Sequence, residues 1–385
     1  MDAHPVVHWS EGGEERSARW RSERGAPPPR RVVIADDRMT ADAAYGLACQ
    51  GTALLWRGDF QNARQMLIAL ASRADRQLRK PKTTGASPTP PSPAEAFNLH
   101  RQARSQRART LGMLVMQLNE HYGLALRRAP DLRLACTEVY GPGAGPSVTS
   151  LRELLGLIGA HEWRTKGMEI PAIGGRIHPH YGVFTPIRRE YVDLVAKAPL
   201  PAAWPSTGVA FDIGTGTGVL AAVLARRGVR RVVATDQDPR ALACARENLE
   251  RLGLVQQVEV VQADLFPEGR AALVVCNPPW VPARPSSPLE HGIFDPESRM
   301  LRGFLAQLPA HLEAGGEGWL ILSDLAEHLG LRSRSELLAM IDAAGLRVVD
   351  RSDARPTHPK ASDETDALHA ARAAEVTSLW RLTVR

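Results

Sequence analysis

The tetrapeptide Asn277-Pro278-Pro279-Trp280 carries the side chains best suited to chemistry. It ends an apolar run, Ala271–Cys276, that reads as a buried strand. The prolines stop any ladder there, because they donate no N–H and hold the chain extended. An asparagine amide, the Pro278 carbonyl and an indole are thus fixed together at a strand's carboxyl edge, where open α/β sheets place ligands. The Asn277 side-chain oxygen and the Pro278 carbonyl can each accept one N–H of an amide or exocyclic amine, with Trp280 covering its face. Such a grip would aim a nitrogen lone pair at an electrophile. Catalysis would then come mainly from positioning and partial-charge stabilisation. No residue is required as a strong general base, and Asp295 and Glu297 read as helix-start groups, with removal of a late proton as the alternative.

Upstream, the apolar string Val209–Ile213 contains Asp212 and leads into Gly214-Thr215-Gly216-Thr217-Gly218 and a helical run. Glycines let a backbone turn sharply against a ligand, and the helix start behind them offers free N–H groups. A dinucleotide fingerprint would need its third glycine where Val219 stands, so the spacing favours a smaller adenosyl ligand. A second strand ends in Asp236, about 20 residues past the loop, as ribose-binding carboxylates do. A third ends at Asp264, with Leu265 or Phe266 placed to flank a ring. Four strands in series thus deliver the glycine loop, Asp236, Asp264 and Asn277 to one edge.

This order resembles the class I S-adenosylmethionine-dependent methyltransferases. The Asn-Pro-Pro-aromatic string is similar to that of N-methyltransferases acting on amide or exocyclic amine nitrogens. With Tyr181-Gly182-Val183-Phe184-Thr185-Pro186 ahead of the loop, it resembles the small methyltransferase domain of release-factor glutamine methyltransferases and several ribosomal-RNA guanine methyltransferases. The resemblance spans roughly residues 175–350 and implies a Rossmann-like seven-stranded α/β sheet. It implies that Asp212, Gly214, Thr215, Gly216 and Gly218 hold the methionine part of S-adenosylmethionine, Asp236 the ribose, and Asp264 with Leu265 the adenine. Asn277, with Pro278, Pro279 and Trp280, would take the acceptor nitrogen. The acceptor implied is a macromolecule, a protein glutamine or a base of RNA or DNA; a small-molecule N-methyltransferase and a non-catalytic cofactor-binding module are the alternatives. Two departures bear on the acceptor: Trp280 stands where the glutamine enzymes usually have tyrosine, and Gly292–Arg299 replaces their downstream glycine-rich segment.

The elements that must position these residues occupy the carboxyl half. Helices are expected over Val219–Arg227, Pro239–Leu252, Glu297–Leu312 and 332–344, with Gly315-Gly316 as a helix stop. Further strands are expected at Trp319–Ser323, Leu346–Val349 and Glu375–Val384, the last antiparallel. The methyltransferase domain is placed at 170–385, with its boundary between 141 and 170. Ahead of it, residues 1–40 read as a disordered tail and 41–150 as a mainly helical domain with a Pro-rich linker at 81–93. Arg101, Arg104 and Arg107, spaced three apart on a helix, form a candidate phosphate-contacting stripe or else a solvated face.

At 385 residues, 44% hydrophobic and 23% charged, the chain reads as an ordinary globular protein of two or three domains. Its net charge of +6 permits a nucleic-acid or acidic partner. No apolar stretch is long enough for a membrane span and no signal peptide is evident, which points to the cytoplasm. The four cysteines are scattered and without a C-x-x-C pair, so neither zinc nor a disulfide framework is expected. His178 and His180 read as part of a polar segment and not as metal ligands. Residues 358–369 read as a polar insertion.

Overall fold

The computed structural model describes residues 4–79, 91–201, 204, 208–356 and 366–385. Most of the Pro-rich linker and of the polar insertion lies outside the described residues. The chain divides into two compact units, Met1–Pro90 with Asn98–Glu162, and Pro91–Phe97 with Trp163–Arg385.

The first unit is a six-stranded sheet with helices, where the sequence suggested a tail and a helical domain. In chain order the elements are β1 (Val6–Glu11), β2 (Glu14–Trp20), β3 (Arg31–Ala35), α1 (Ala41–Cys49), β4 (Thr52–Trp56), α2 (Phe60–Arg79), α3 (Pro93–Gly112, counted in this unit from Asn98), β5 (Leu114–Leu118), α4 (Arg133–Tyr140), β6 (Ser147–Ser150) and α5 (Leu151–Lys166, counted in this unit to Glu162). The strand order is β1-β2-β6-β5-β4-β3. The expected tail is ordered because β1 and β2 pair as a hairpin about Gly12-Gly13, both at positive φ, as a two-residue hairpin turn requires. Val7, Trp9, Ala18 and Trp20 are buried on one face of that hairpin, an alternation too short to stand out among charges. The helical expectation fails at Leu54 and Leu55 because β4 is buried along its whole length, and a short apolar run looks alike as helix or central strand.

The second unit holds the expected seven-stranded sheet. It begins with β7 (Met168–Ile170) and β8 (Gly175–Ile177), a small hairpin. Then follow α6 (Glu190–Lys197), β9 (Val209–Ile213), α7 (Val219–Arg226), β10 (Arg231–Asp236), α8 (Pro239–Arg251), β11 (Val258–Gln262), β12 (Ala271–Cys276) and α9 (Arg299–His311). The chain ends with β13 (Leu312–Ser323), α10 (Leu325–His328), α11 (Arg334–Ala343), β14 (Leu346–Ala354), α12 (His369–Ala374) and β15 (Thr377–Val384). The order is β11-β10-β9-β12-β13-β15-β14, with β15 antiparallel to both neighbours. Gly315-Gly316 lies inside β13 and is not a helix stop; the irregularity shows as a register break against β12, between Ala271 and Leu273.

Alternation along the strands sorts this core into two layers. Ala210, Leu273, Val275, Trp319 and Ile321 pack with Tyr191, Val192 and Leu220 of α6 and α7. Phe211, Ile213, Val274, Cys276 and Leu320 pack with Leu301, Phe304, Leu337 and Ile341 of α9 and α11. Both faces of β9 and β12 are therefore covered, which explains their unbroken apolar sequence and fixes their register.

Candidate active site

The site is set by the register of adjacent central strands. Cys276 of β12 lies opposite Ile213 of β9, so Asn277 and Gly214, the next residues, emerge side by side at one edge. Ala234 of β10 lies opposite Asp212, which brings Asp236 to the same edge.

Gly214, Gly216 and Gly218 all have positive φ, at 71°, 55° and 81°. A Cβ on Gly218 would press the Ala245 backbone at 3.3 Å, whereas one on Gly216 would meet nothing within 4 Å. Gly218 is therefore needed for close packing against α8, and Gly216 leaves open space for a ligand. The loop is tied down by the acids the sequence singled out. Asp236 Oδ2 accepts the Gly216 N–H at 3.0 Å, and Thr215 Oγ1 donates to Asp212 Oδ2 at 2.6 Å. The Ala221 N–H also donates to that oxygen at 3.0 Å, while Asp212 Oδ1, fully buried, finds no partner among the described residues. Burial raises the Asp212 pKa to about 6 against these donors, with the Asp236 charge adding to the rise. A buried, half-satisfied carboxylate beside an open glycine turn suits an ammonium group, as the methionine part of S-adenosylmethionine would present.

Farther along the edge the expected residues separate. Asp264 is exposed and only 3.9 Å from the Arg299 guanidinium. Leu265 adopts φ 76° and its carbonyl accepts the Thr235 hydroxyl at 2.6 Å, which holds the turn in a left-handed conformation rare for leucine. Phe266, offered with Leu265 as a ring flank, is buried and stacks on Phe304 and His311 at centroid distances of 5.7 and 4.4 Å. It belongs to the core, and the half-buried Leu265 packs against the same cluster.

The acceptor end departs from expectation in one respect. Trp280 Nε1 donates to Asn277 Oδ1 at 2.9 Å, and the indole ring lies 4.9 Å from the Arg188 guanidinium. An indole N–H is donor only, so it turns the amide oxygen of Asn277 toward itself and leaves that oxygen its second lone pair. Trp280 thus orients Asn277, a role the sequence did not reveal. No described residue donates to the Pro278 carbonyl.

Sequence reasoning missed the brace behind Trp280. Arg188 bonds Glu190 Oε1 at 2.6 Å, Glu375 Oε1 at 2.7 Å and Thr377 Oγ1 at 3.2 Å. Ser323 also donates to Glu375. Only Thr185–Tyr191 was visible as a helix opening; its partner lies 187 residues later in the chain. Asp295 is buried and accepts the Met300 and Leu301 N–H groups at 3.0 and 3.2 Å, which makes it the start group of α9. Glu297 is exposed. The His178 backbone N–H donates to Asn248 Oδ1 at 2.7 Å, and the His180 ring meets Glu247 at 2.8 Å, so both knit the β7–β8 hairpin to α8. Among the described residues no group of metal-ligating side chains occurs, the four cysteines are free, and no helix is long and apolar enough to cross a membrane.

Residues 176–334 match the family described as Methyltransferase small domain. A ribosomal protein L11 methyltransferase of Pelotomaculum thermopropionicum is 53% identical over 72 residues, 18% of this chain and 23% of that protein. A release factor glutamine methyltransferase of Cereibacter sphaeroides is 33% identical over 150 residues, 35% of this chain and 51% of that one. The chain thus spans about half or less of the length of these curated relatives. A solved ribosomal protein L11 methylase from Lactobacillus delbrueckii subsp. bulgaricus aligns at TM-score 0.38 and 16% identity, over 55% of this chain and 86% of that one.

Proposed function

We propose that this chain, whose residues 176–334 are a methyltransferase small domain, transfers a methyl group from S-adenosylmethionine to a planar amide or exocyclic amine nitrogen of a macromolecule. The observation that carries the reading is the side-by-side emergence of Gly214 and Asn277 from β9 and β12. Relatives named for ribosomal protein L11 and for release-factor glutamine support a protein acceptor.

Bound at the glycine turn, S-adenosylmethionine would supply an electrophilic methyl group on a sulfonium. Asp212 Oδ1 would take the ammonium of the methionine part, and Asp236, whose oxygens each keep a free lone pair, the ribose hydroxyls. Asp264 and Leu265 would meet the adenine. The free lone pair of Asn277 Oδ1 and the Pro278 carbonyl would accept the two N–H groups of the acceptor. That grip holds the nitrogen in line and favours the positive charge that develops on it. Trp280 and the Arg188 brace keep the amide oxygen pointed correctly throughout.

Asn277→Ala should lower methyl transfer at least ~100-fold, while cofactor affinity stays within about threefold. Incubating labelled S-adenosylmethionine with cell fractions, with and without the substitution, reads both the loss and the acceptor class. Transfer within about threefold of the parent would remove the acceptor grip. Label found only in small solutes would replace the macromolecular acceptor with a small one.

A further inference from the structure

The first unit buries an arginine that methyl transfer does not use. Arg21 follows β2 and donates its backbone N–H to the Val148 carbonyl of β6 at 2.9 Å. Its side chain leaves the sheet on the face opposite Trp20 and Val148, which share a core cluster. Arg21 is only 6% exposed, with its guanidinium carbon 5.3 Å from the centre of the Tyr122 ring and 4.8 Å from that of Tyr140. Both rings are anchored by their hydroxyls, Tyr122 donating to the Gly141 carbonyl at 2.9 Å and Tyr140 to Glu153 Oε1 at 2.6 Å. Tyr122 also keeps φ 63°, a left-handed conformation that persists only where its surroundings impose it. Aromatic faces attract a cation, but they leave the N–H groups along its edge in need of an oxygen. Arg21 Nε is enclosed and unbonded; the Nη edge, likewise without a partner among the described residues, is not enclosed. Ser147 Oγ, on the same face of β6 as Thr149, is enclosed and unbonded too. A buried guanidinium without an acceptor is costly, so this edge favours an anion.

The charges of the neighbourhood leave that need unmet. Glu153, itself buried, stands at the hydroxyl end of Tyr140, and its Oε1 also accepts the Glu23 N–H at 3.0 Å. No ion pair joins Glu153 to Arg21. Arg19 lies close enough to Arg21 for their charges to repel, while Glu23 and Arg24 flank Glu153 with opposite signs, and Arg152 precedes it on α5. Burial pushes the Cys136 thiol up to about 12, so it adds no charge. Arginines therefore outnumber carboxylates here even with Glu23 and Glu153 counted. We propose that Arg21, clamped between Tyr122 and Tyr140, binds a monoanionic carboxylate at its unenclosed edge. A planar carboxylate pairs with two guanidinium N–H groups at once, in the plane that the rings leave free. A phosphate dianion would bring a second negative charge toward Glu153 for the same fork. The site lies wholly in the first unit and stands apart from methyl transfer, because binding is read without S-adenosylmethionine or acceptor.

The test is calorimetric titration of the full chain with sodium acetate, N-acetylglycine and sodium phosphate, each at one ionic strength held with sodium chloride. The parent should bind acetate saturably, and phosphate at least ~10-fold more weakly. Arg21→Lys keeps the charge but loses the planar fork, and should weaken acetate at least ~10-fold. Because a change at a buried arginine can impair folding, Glu153→Gln serves as the second variant, with the opposite sign. It keeps an amide oxygen for Tyr140 and removes the negative neighbour, so acetate should bind at least ~3-fold more tightly. N-acetylglycine far tighter than acetate would assign the carboxylate to a chain terminus, and equal affinities to a small free acid. No saturable binding of acetate by the parent, phosphate tighter than acetate, or an affinity unchanged in both variants would overturn the proposal.

Discussion

Asp212 is the residue at which burial and ligand chemistry meet most directly. Its carboxyl is raised from 3.8 to about 6, so the folded state holds a proton that the unfolded chain has released. Stability from this group is then fully present below about pH 3.8 and is lost as pH rises through about 6, a loss of about 3 kcal/mol for two units. Asp212→Asn should remove that slope, and the difference between parent and variant in urea unfolding at pH 4, 5 and 7 isolates it from other acids. A cationic ligand requires the ionised form. S-adenosylmethionine affinity should therefore weaken about tenfold from pH 7 to pH 5, with a proton released on binding near pH 6. Calorimetry in two buffers of different ionisation enthalpy reads that proton. Affinity that does not change over this range would mean that the ammonium does not sit on Asp212.

At the scale of elements, the tips of β9, β10 and β12 were legible in the sequence because each is a local string: an apolar run, then a glycine turn, an acid or Asn-Pro-Pro-Trp. The Arg188 brace was illegible because it joins the start of α6 to β15, with nothing in either segment to name the other. The first sheet was lost for a different reason. β6 has four residues and β4 five, lengths at which helical and strand periods cannot be separated. The brace makes its own prediction. Arg188→Gln leaves Glu190 and Glu375, both buried, without their cation, and should cost about 3–5 kcal/mol in urea unfolding. Adding Glu375→Gln should recover part of the loss, since it removes one orphaned charge. Equal stability of parent and single variant would show that the ion pairs do not hold this end of the sheet together.

At the scale of the whole molecule, the chain is not cut where its sequence suggests. Residues Pro91–Phe97 belong to the second unit although more than sixty residues of the first follow them. Phe97 is 4% exposed and packs with Val281, Leu329 and Leu368, one residue past the Asn277–Trp280 string and in the far carboxyl region. The second unit therefore completes its core with a side chain from the amino half, and a fragment beginning at Trp163 would lack it. Truncating a buried phenylalanine costs about 3–5 kcal/mol, so Phe97→Ala should lower the stability of the second unit by that order. A ligand that binds only the folded second unit raises its transition alone, so added S-adenosylmethionine marks which melting step belongs to it. The substitution should move the marked step down by several degrees and leave the other in place. If only the step that S-adenosylmethionine does not raise were to move, Phe97 would be supporting the first unit, and the division of the chain at Phe97 would be wrong.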